Sequence, residues 1–450
     1  MVFIAPLLTA VLFLVGARVT ARTTEAAAAR RRGTLFAVLA VVCSTVLLFA
    51  DSLGGVPPRE FLGINFGLLP PGRIAPTNVV TCVIGLLAIA MAPLVRHPPA
   101  TFARILLLLA IATAFISTGA ILGIVVFWVA SAYVVWCELR SKEGTRDLAR
   151  IFARFHVPSA IAMSIGGLLF AGGMQSVAVV LVLVAVAIRE ASLPVHGWLP
   201  PFVQRSPSGI VVAFVAPQLG VYAHLALLAG SVPHGLAHTV AAFGAATAVI
   251  AAALGVVQSD GRRALAFIVI SQTGLVAFGL ENESLVARLG AVATWQVLAL
   301  ATSGFIMIFA ALEARRGRLS LDVLSGSFAR TPRMAIAFLF LGFASVGLPL
   351  TFGFVAEDLL VQGSTEEFPL LGFVILVATA LNGMTVMRCF FAFFSGRRTH
   401  QGERDLVPRE RWVLTLIMAI LIVAGAFAGK VLHLHEGEQV VAEEAALLGH

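Results

Sequence analysis

One feature repeats along this chain: stretches of about 18 to 25 apolar residues, set apart by short polar or basic segments. Such a stretch crosses a bilayer core as α-helix. Within hydrocarbon every backbone N–H and C=O needs a partner inside the protein, so a chain built this way folds as a helical bundle. The sequence has 450 residues, 59% hydrophobic and 12% charged, too little charge to clothe a soluble domain of that size. The expected class is an all-α polytopic membrane protein. Hydropathy places about fourteen spans, near 3–19, 34–50, 77–95, 102–118, 121–138, 157–172, 176–193, 209–230, 239–257, 264–280, 286–312, 334–349, 369–395 and 411–430. The span at 334–349 continues through a broken segment to about 363.

A net charge of +8 in a soluble protein would raise the question of nucleic acid, but no basic module is present to bind it. The basic residues fall in alternate loops: Arg30 to Arg32, Arg96 and Arg104, Arg140 to Arg154, Arg262 and Arg263, Arg315 to Arg318, and Arg397 to Arg404. The loops between them are poor in Lys and Arg. The positive-inside rule then puts both termini outside the cytoplasm, in a multi-pass protein of the cytoplasmic (inner) membrane in contact with lipid. The first span lacks a basic segment before it and reads as a retained helix, not a cleaved signal. Cys43, Cys82, Cys137 and Cys389 have no metal-ligand spacing, and His433 with His435 in the acidic tail is a weak metal pair. No cofactor motif, nucleophile elbow or phosphate loop is present, so no enzyme active site is expected in the chain itself.

Two places interrupt the apolar runs with Pro and Gly: Leu193-Pro194-Val195-His196-Gly197-Trp198-Leu199-Pro200-Pro201 and Gly347-Leu348-Pro349-Leu350-Thr351-Phe352-Gly353-Phe354. Broken helices mark ion pathways in transporters, because the freed backbone groups need partners or water; the plainer alternative is a pair of surface loops. Ionisable and amide side chains inside spans are functional candidates because burying them is costly. Here they are Arg189 and Glu190 before the first break, His196 within it, Gln218 and His224 beside Pro217, Glu357 and Asp358 after the second break, and Arg388. Static salt bridges or interfacial positions are the competing reading. Lone histidines such as His97, His156 and His400 are expected at interfaces.

Several segments resemble the antiporter-like, proton-conducting subunits of complex I, multisubunit Na+/H+ antiporters and membrane hydrogenases. They are Ser192 to Pro200 with Ser206-Pro207-Ser208, then Val257-Gln258-Ser259-Asp260-Gly261-Arg262-Arg263-Ala264-Leu265-Ala266-Phe267 with Ser271-Gln272-Thr273-Gly274, then Gly347 to Asp358, then Thr385 to Arg388. Together they cover roughly residues 100 to 400. The resemblance implies two inverted five-helix repeats with broken helices, divided here as 101–263 and 264–400. Residues 1–100 would add N-terminal helices, and 401–450 a last helix and tail. It also implies other subunits of a membrane complex as partners and protons as the transported ion.

Pumping members of that family place an acid on the fifth helix and lysines farther on. In this sequence the acid would fall at Val129, and the lysines at Arg189, Gln218, about Gln296 and Glu357. Arg cannot release its proton at ordinary pH and Gln does not titrate, so the familiar lysine relay is altered. Three features also resemble the branch that serves inorganic-carbon (CO2/bicarbonate) accumulation with a large soluble zinc protein related to carbonic anhydrases: His196-Gly197-Trp198-Leu199, the non-acidic Val129 and the neutral Gln218. The chain ends near span fourteen without the long lateral helix of the largest complex I subunit. The functional expectation is a subunit that conducts cations, most simply protons, and couples their gradient to a partner. The alternatives are inorganic-carbon uptake and a non-conducting structural subunit.

Overall fold

A computed structural model describes residues 5–48, 60–61, 64–65, 71–326, 328–396 and 404–432. Within these, the chain is helical apart from short connections and one two-residue hairpin, Glu60–Phe61 against Ile64–Asn65. The helices are α1 (Ala5–Ala21), α2 (Ala26–Leu48), α3 (Pro71–Ala90), α4 (Pro99–Ile116), α5 (Ile121–Arg140), α6 (Arg146–Ala171), α7 (Gln175–Arg189), α8 (Leu199–Arg205) and α9 (Ser208–Val215). They continue as α10 (Leu219–Leu228), α11 (His234–Val256), α12 (Gly261–Leu280), α13 (Leu285–Arg316), α14 (Pro332–Ala344), α15 (Phe352–Glu367), α16 (Pro369–Phe394) and α17 (Pro408–Ala426). Among the described residues, nine helical segments are long and apolar enough to cross a membrane alone, and four shorter apolar helices accompany them. Each of the fourteen expected spans has a helix in its place, so the protein is a multi-pass membrane bundle.

The bundle is arranged around α12 and α13, which are buried nearly all round, while α2 lies at the rim. At 32 residues α13 is about 48 Å long, more than the hydrocarbon core needs, so it tilts or projects beyond it. Lipid offers helices little hydrophobic reason to associate, and close approach of backbones does much of the work instead. Gly244 on α11 and Gly274 on α12 show how: a Cβ on either would sit 2.7–2.8 Å from the other helix's backbone.

Both expected breaks are present. α7 stops at Arg189, a single 3-10 turn covers Val195–Trp198, and α8 begins at Leu199. Freed groups there find partners: the Trp198 indole N–H donates to the Ile188 carbonyl (2.8 Å), and the Leu193 N–H donates to the Thr247 hydroxyl (3.2 Å). The second break separates α14 from α15. A third break was not expected. The span read as continuous over 209–230 is two helices, parted at Ala216-Pro217-Gln218, with Gln218 in the left-handed region (φ 42°). Pro217 has no N–H to continue the ladder and its ring crowds the preceding turn.

The basic loops meet at one end of the bundle. Arg262, 3% exposed, donates to the Val203 and Ser206 carbonyls, the Ser208 hydroxyl and the Glu313 carboxylate, which also accepts from Arg96. Arg205 grips Asp147 with two hydrogen bonds of 2.6 and 2.7 Å, and Arg315 pairs with Glu410 at 2.7 Å. Glu138, fully buried, accepts from Thr101, Arg104 and Lys142. At the opposite end, the loops around 231–238, 281–285 and 364–368 come together: the Glu283 N–H donates to Glu367, and His238 contacts the same carboxylate. The alternation of loops read from the sequence is thus a physical separation of two faces.

Two histidines expected at interfaces are in the core. His156 is 3% exposed and stacks on Phe152 with ring centroids 3.9 Å apart. His97, between α3 and α4, is fully buried; its Nε2 accepts from the Gly209 N–H (3.1 Å), so Nδ1 holds the proton and donates to the Pro93 carbonyl (2.7 Å). Burial pushes the His97 imidazole from 6.5 down to about 4. An unfolded chain takes up this proton as pH drops below 6.5 and the folded one does not, so His97 stabilises the fold above that pH and progressively less toward pH 4. In melting experiments in detergent, the stability gap between wild type and His97→Gln should narrow as the pH is lowered from 7.5 to about 5. A gap that is constant or widens would remove this assignment. His400, His433, His435 and the acidic tail lie outside the described residues.

Candidate functional site

The first polar centre forms where α7 ends. Arg189 is 4% exposed, and its guanidinium lies between the rings of Trp128 (4.9 Å) and Phe214 (4.1 Å). Its Nη1 donates to the Ser131 hydroxyl at 3.0 Å, and its Nη2 has no hydrogen-bond partner. Aromatic faces attract such a cation without accepting its protons in full hydrogen bonds. The α5 residue facing Arg189 is therefore Ser131. Val129, expected at the place of an acid, is 40% exposed on the outside of the bundle, because two residues on a helix are about 200° apart in direction.

Glu190 turns the other way. Its Oε1 accepts from the Gly220 N–H (2.8 Å), in the first turn of α10. That N–H is free because the chain breaks at Pro217 and Gln218, and a helix start presents unpaired donors and a positive dipole end to a carboxylate. Thr273 on α12 donates to the Glu190 carbonyl (3.2 Å), tying the turn to the central helix. Gln218 is buried, with its side-chain oxygen lacking a hydrogen-bond partner.

From Glu190 a cavity of about 50 Å³ runs past Thr273 to His224. His224, one helical turn beyond Gly220, is buried, and its Nε2 lies 3.4 Å from Glu281 Oε1. Glu281, at the end of α12, is 6% exposed and its Oε1 makes no hydrogen bond. His224 and Glu281 also line a second cavity of about 230 Å³, which reaches His234, His238 and Glu283 at the face away from the basic loops. Glu190, His224 and Glu281 thus form a chain of titratable groups joined by cavities. Glu281 escaped the sequence reading because it sits at a span boundary, where a carboxylate looks like an ordinary interfacial group.

The second centre is Glu357, one turn into α15. Its carboxylate accepts from the Thr379 hydroxyl on α16 and lines a cavity of about 20 Å³ with Gln272, Thr294 and Gly347. Gly347 has φ 84°, and a Cβ there would collide with the Glu357 carboxylate, so the break and the acid fit only with glycine at this position. Gln296 lies elsewhere on α13, donating to the Thr77 hydroxyl of α3 at 2.9 Å.

The remaining candidates are not part of these centres. Asp358 points outward and accepts from Gln362 (2.8 Å). Arg388 donates to the Val256 carbonyl at the end of α11 and to the Gln258 carbonyl just past it, near the basic face, where a cation satisfies orphan carbonyls and the helix dipole. His196 stands in the first break with its Nδ1 unpartnered, its ring 6.2 Å from that of Phe267.

The membrane region of the NADH:quinone oxidoreductase/Mrp antiporter family matches residues 141–382 of this chain. Among curated relatives, NADH-quinone oxidoreductase subunit 13 of Thermus thermophilus is 28% identical over 253 residues, covering 54% of this chain and 53% of the relative. Subunit M of Rhodobacter capsulatus is 24% identical over 299 residues, 63% of this chain and 57% of the relative. The chain thus spans little more than half the length of these two relatives. A chain in the solved respiratory complex I of Thermus thermophilus superposes with a TM-score of 0.86 at 21% identity, covering 97% of this chain and 99% of that one. One in the Mrp complex of a Dietzia species gives 0.86 at 17%, covering 97% and 96%. At these identities the two structures show the fold alone. The family match takes in more than half of the 450 residues, including both breaks and the Glu190 and Glu357 centres, and this chain belongs to the NADH:quinone oxidoreductase/Mrp antiporter membrane family.

Proposed function

We propose that the chain is a proton-conducting membrane subunit of a larger complex, in which Glu190, His224 and Glu281 carry protons between the centre of the bundle and one face. The observation behind this reading is the run of those three groups along two cavities that meet at His224. Carboxylate, imidazole and trapped water can pass a proton by exchanging hydrogen bonds, which a run of Gln and Arg cannot. Arg189 supplies a fixed charge next to the path, and Glu357 is the second loading position, across α12 from the first. The two breaks then belong to two repeats, 101–263 and 264–400, joined at the central helices. The names of the relatives, subunits of quinone oxidoreductases and an Mrp complex, support membership of a multisubunit assembly. None of the relatives and structures named above is an inorganic-carbon complex, and nothing in the site favours bicarbonate. With the basic loops cytoplasmic, the His234 and Glu283 face would be the outer one.

In inner-membrane vesicles or proteoliposomes holding the intact complex, Glu190→Gln and Glu357→Gln should each lower gradient-coupled proton movement by about a hundredfold, the low end for a positioned proton-transfer group. Unchanged conduction in both variants would leave a structural subunit as the better reading.

Asp358 bears on the assembly. It lies nine residues, about 13 Å along the helix, from the end of α15 at Glu367 and is exposed on the outer surface of this bundle. A carboxylate that far along a membrane-crossing helix is costly to leave against lipid, which supports a reading in which another subunit packs over it. Purification of the tagged chain in mild detergent should retain membrane subunits that Asp358→Leu releases. Release of none, with α15 shielded by lipid alone, would count against a partner at this face.

A further inference from the structure

At the mouth of the larger cavity stands a cluster that the proton path does not use. His234 and His238 lie one turn apart at the start of α11, so their rings share a face of the helix, with centroids 4.0 Å apart. Glu367, the last residue of α15, reaches the same point, and donor atoms of the three residues lie within 4.8 Å of one another. His238 Nε2 is already 3.0 Å from Glu367 Oε1. Each ring has a carboxylate neighbour: Glu283 Oε1 is 2.8 Å from His234 Nε2, and the Glu283 N–H donates to Glu367 Oε2 (2.7 Å), which fixes that carboxylate. Two imidazoles and one carboxylate are the donors that a zinc-type ion takes up, with water in the fourth position.

We propose that His234, His238 and Glu367 form a binding site for a divalent transition metal, zinc being the best fit, seated over the opening that leads to His224 and Glu281. Donors around tetrahedral zinc are about 3.4 Å apart, so closing the set requires side-chain rotation of about 1 Å and no backbone movement. The site is open to water: the His234 side chain is 65% exposed and that of His238 39%, which gives an ion a way in. A second observation points to a cation here. Glu281 lines the same cavity, 6% exposed, with an oxygen that makes no hydrogen bond and has only the His224 imidazole beside it, 3.4 Å away, so the chamber beneath the cluster holds a buried carboxylate whose charge no fixed cation balances. A metal over the mouth would add positive charge above that chamber and narrow its opening. Metal binding itself does not depend on the proposed proton conduction.

The test is zinc binding by the purified full chain, carrying a tag without histidines, measured by competition with a chromogenic zinc chelator. One zinc per chain is expected. His234→Ala/His238→Ala and Glu367→Gln should abolish it, and Glu283→Gln, which acts through the His234 ring, should weaken it about tenfold. His433→Ala/His435→Ala should leave it in place. Zinc uptake that survives the paired histidine change, or that vanishes only with the tail histidines, overturns the site. Folding is followed in parallel by thermal melting: zinc should raise the wild-type Tm and leave that of the conservative Glu367→Gln unmoved. An equal rise in both also overturns it.

Discussion

The arrangement depends on how a helix can be broken inside a membrane. Each break strands backbone N–H and C=O groups where no bulk water can take them, at several kcal/mol for every group left unpaired. This protein answers with side chains, Trp198 from within the first break and Thr247 from α11, and in one place with function. The N–H of Gly220, free because Pro217 ends α9, becomes the donor that holds the Glu190 carboxylate. A structural fault and a buried acid satisfy each other, and neither would be tolerable alone.

The two faces of the bundle are electrostatically unlike. One is tied together by Arg–carboxylate pairs centred on Arg262 and Glu313, whose side chains are both buried. Such pairs do little for net stability over a well-packed apolar substitute, but removing one member strands the other. Their effect here is to fix how α8, α9, α12 and α13 meet, and so where the cavities run. The other face carries histidines and carboxylates around an opening, where His234–Glu283 and His238–Glu367 contacts stand in place of arginine pairs.

Much of the fold could be read from the sequence because its signals are one-dimensional. Apolar length finds a span, loop Arg finds a side, and Pro with Gly finds a break. Glu190, His224 and Glu357 were legible for the same reason, as titratable groups in apolar runs. What the sequence did not disclose depends on direction around a helix or on distant partners. Val129 and Ser131 differ by two positions, yet one faces outward and the other faces Arg189. Asp358 follows Glu357 and points out of the bundle. Arg388 looked like a mid-span charge until the end of α11 was found beside it. Glu281 gained its place only when α10 brought His224 against it.

The ring-stacked Arg189 has a consequence for selectivity. Its charge is permanent, since a guanidinium keeps its proton at any physiological pH. An alkali cation about 5 Å away would meet a repulsion on the order of 3 kcal/mol at the effective dielectric of a protein interior, besides losing its water. A proton joining Glu190 travels as a change of bonds and leaves a neutral acid behind it. On the proposed proton path the guanidinium's repulsion falls on every added positive charge alike, and a hydrogen ion would overcome it by forming a covalent O–H bond at Glu190, an option that no sodium or potassium ion has.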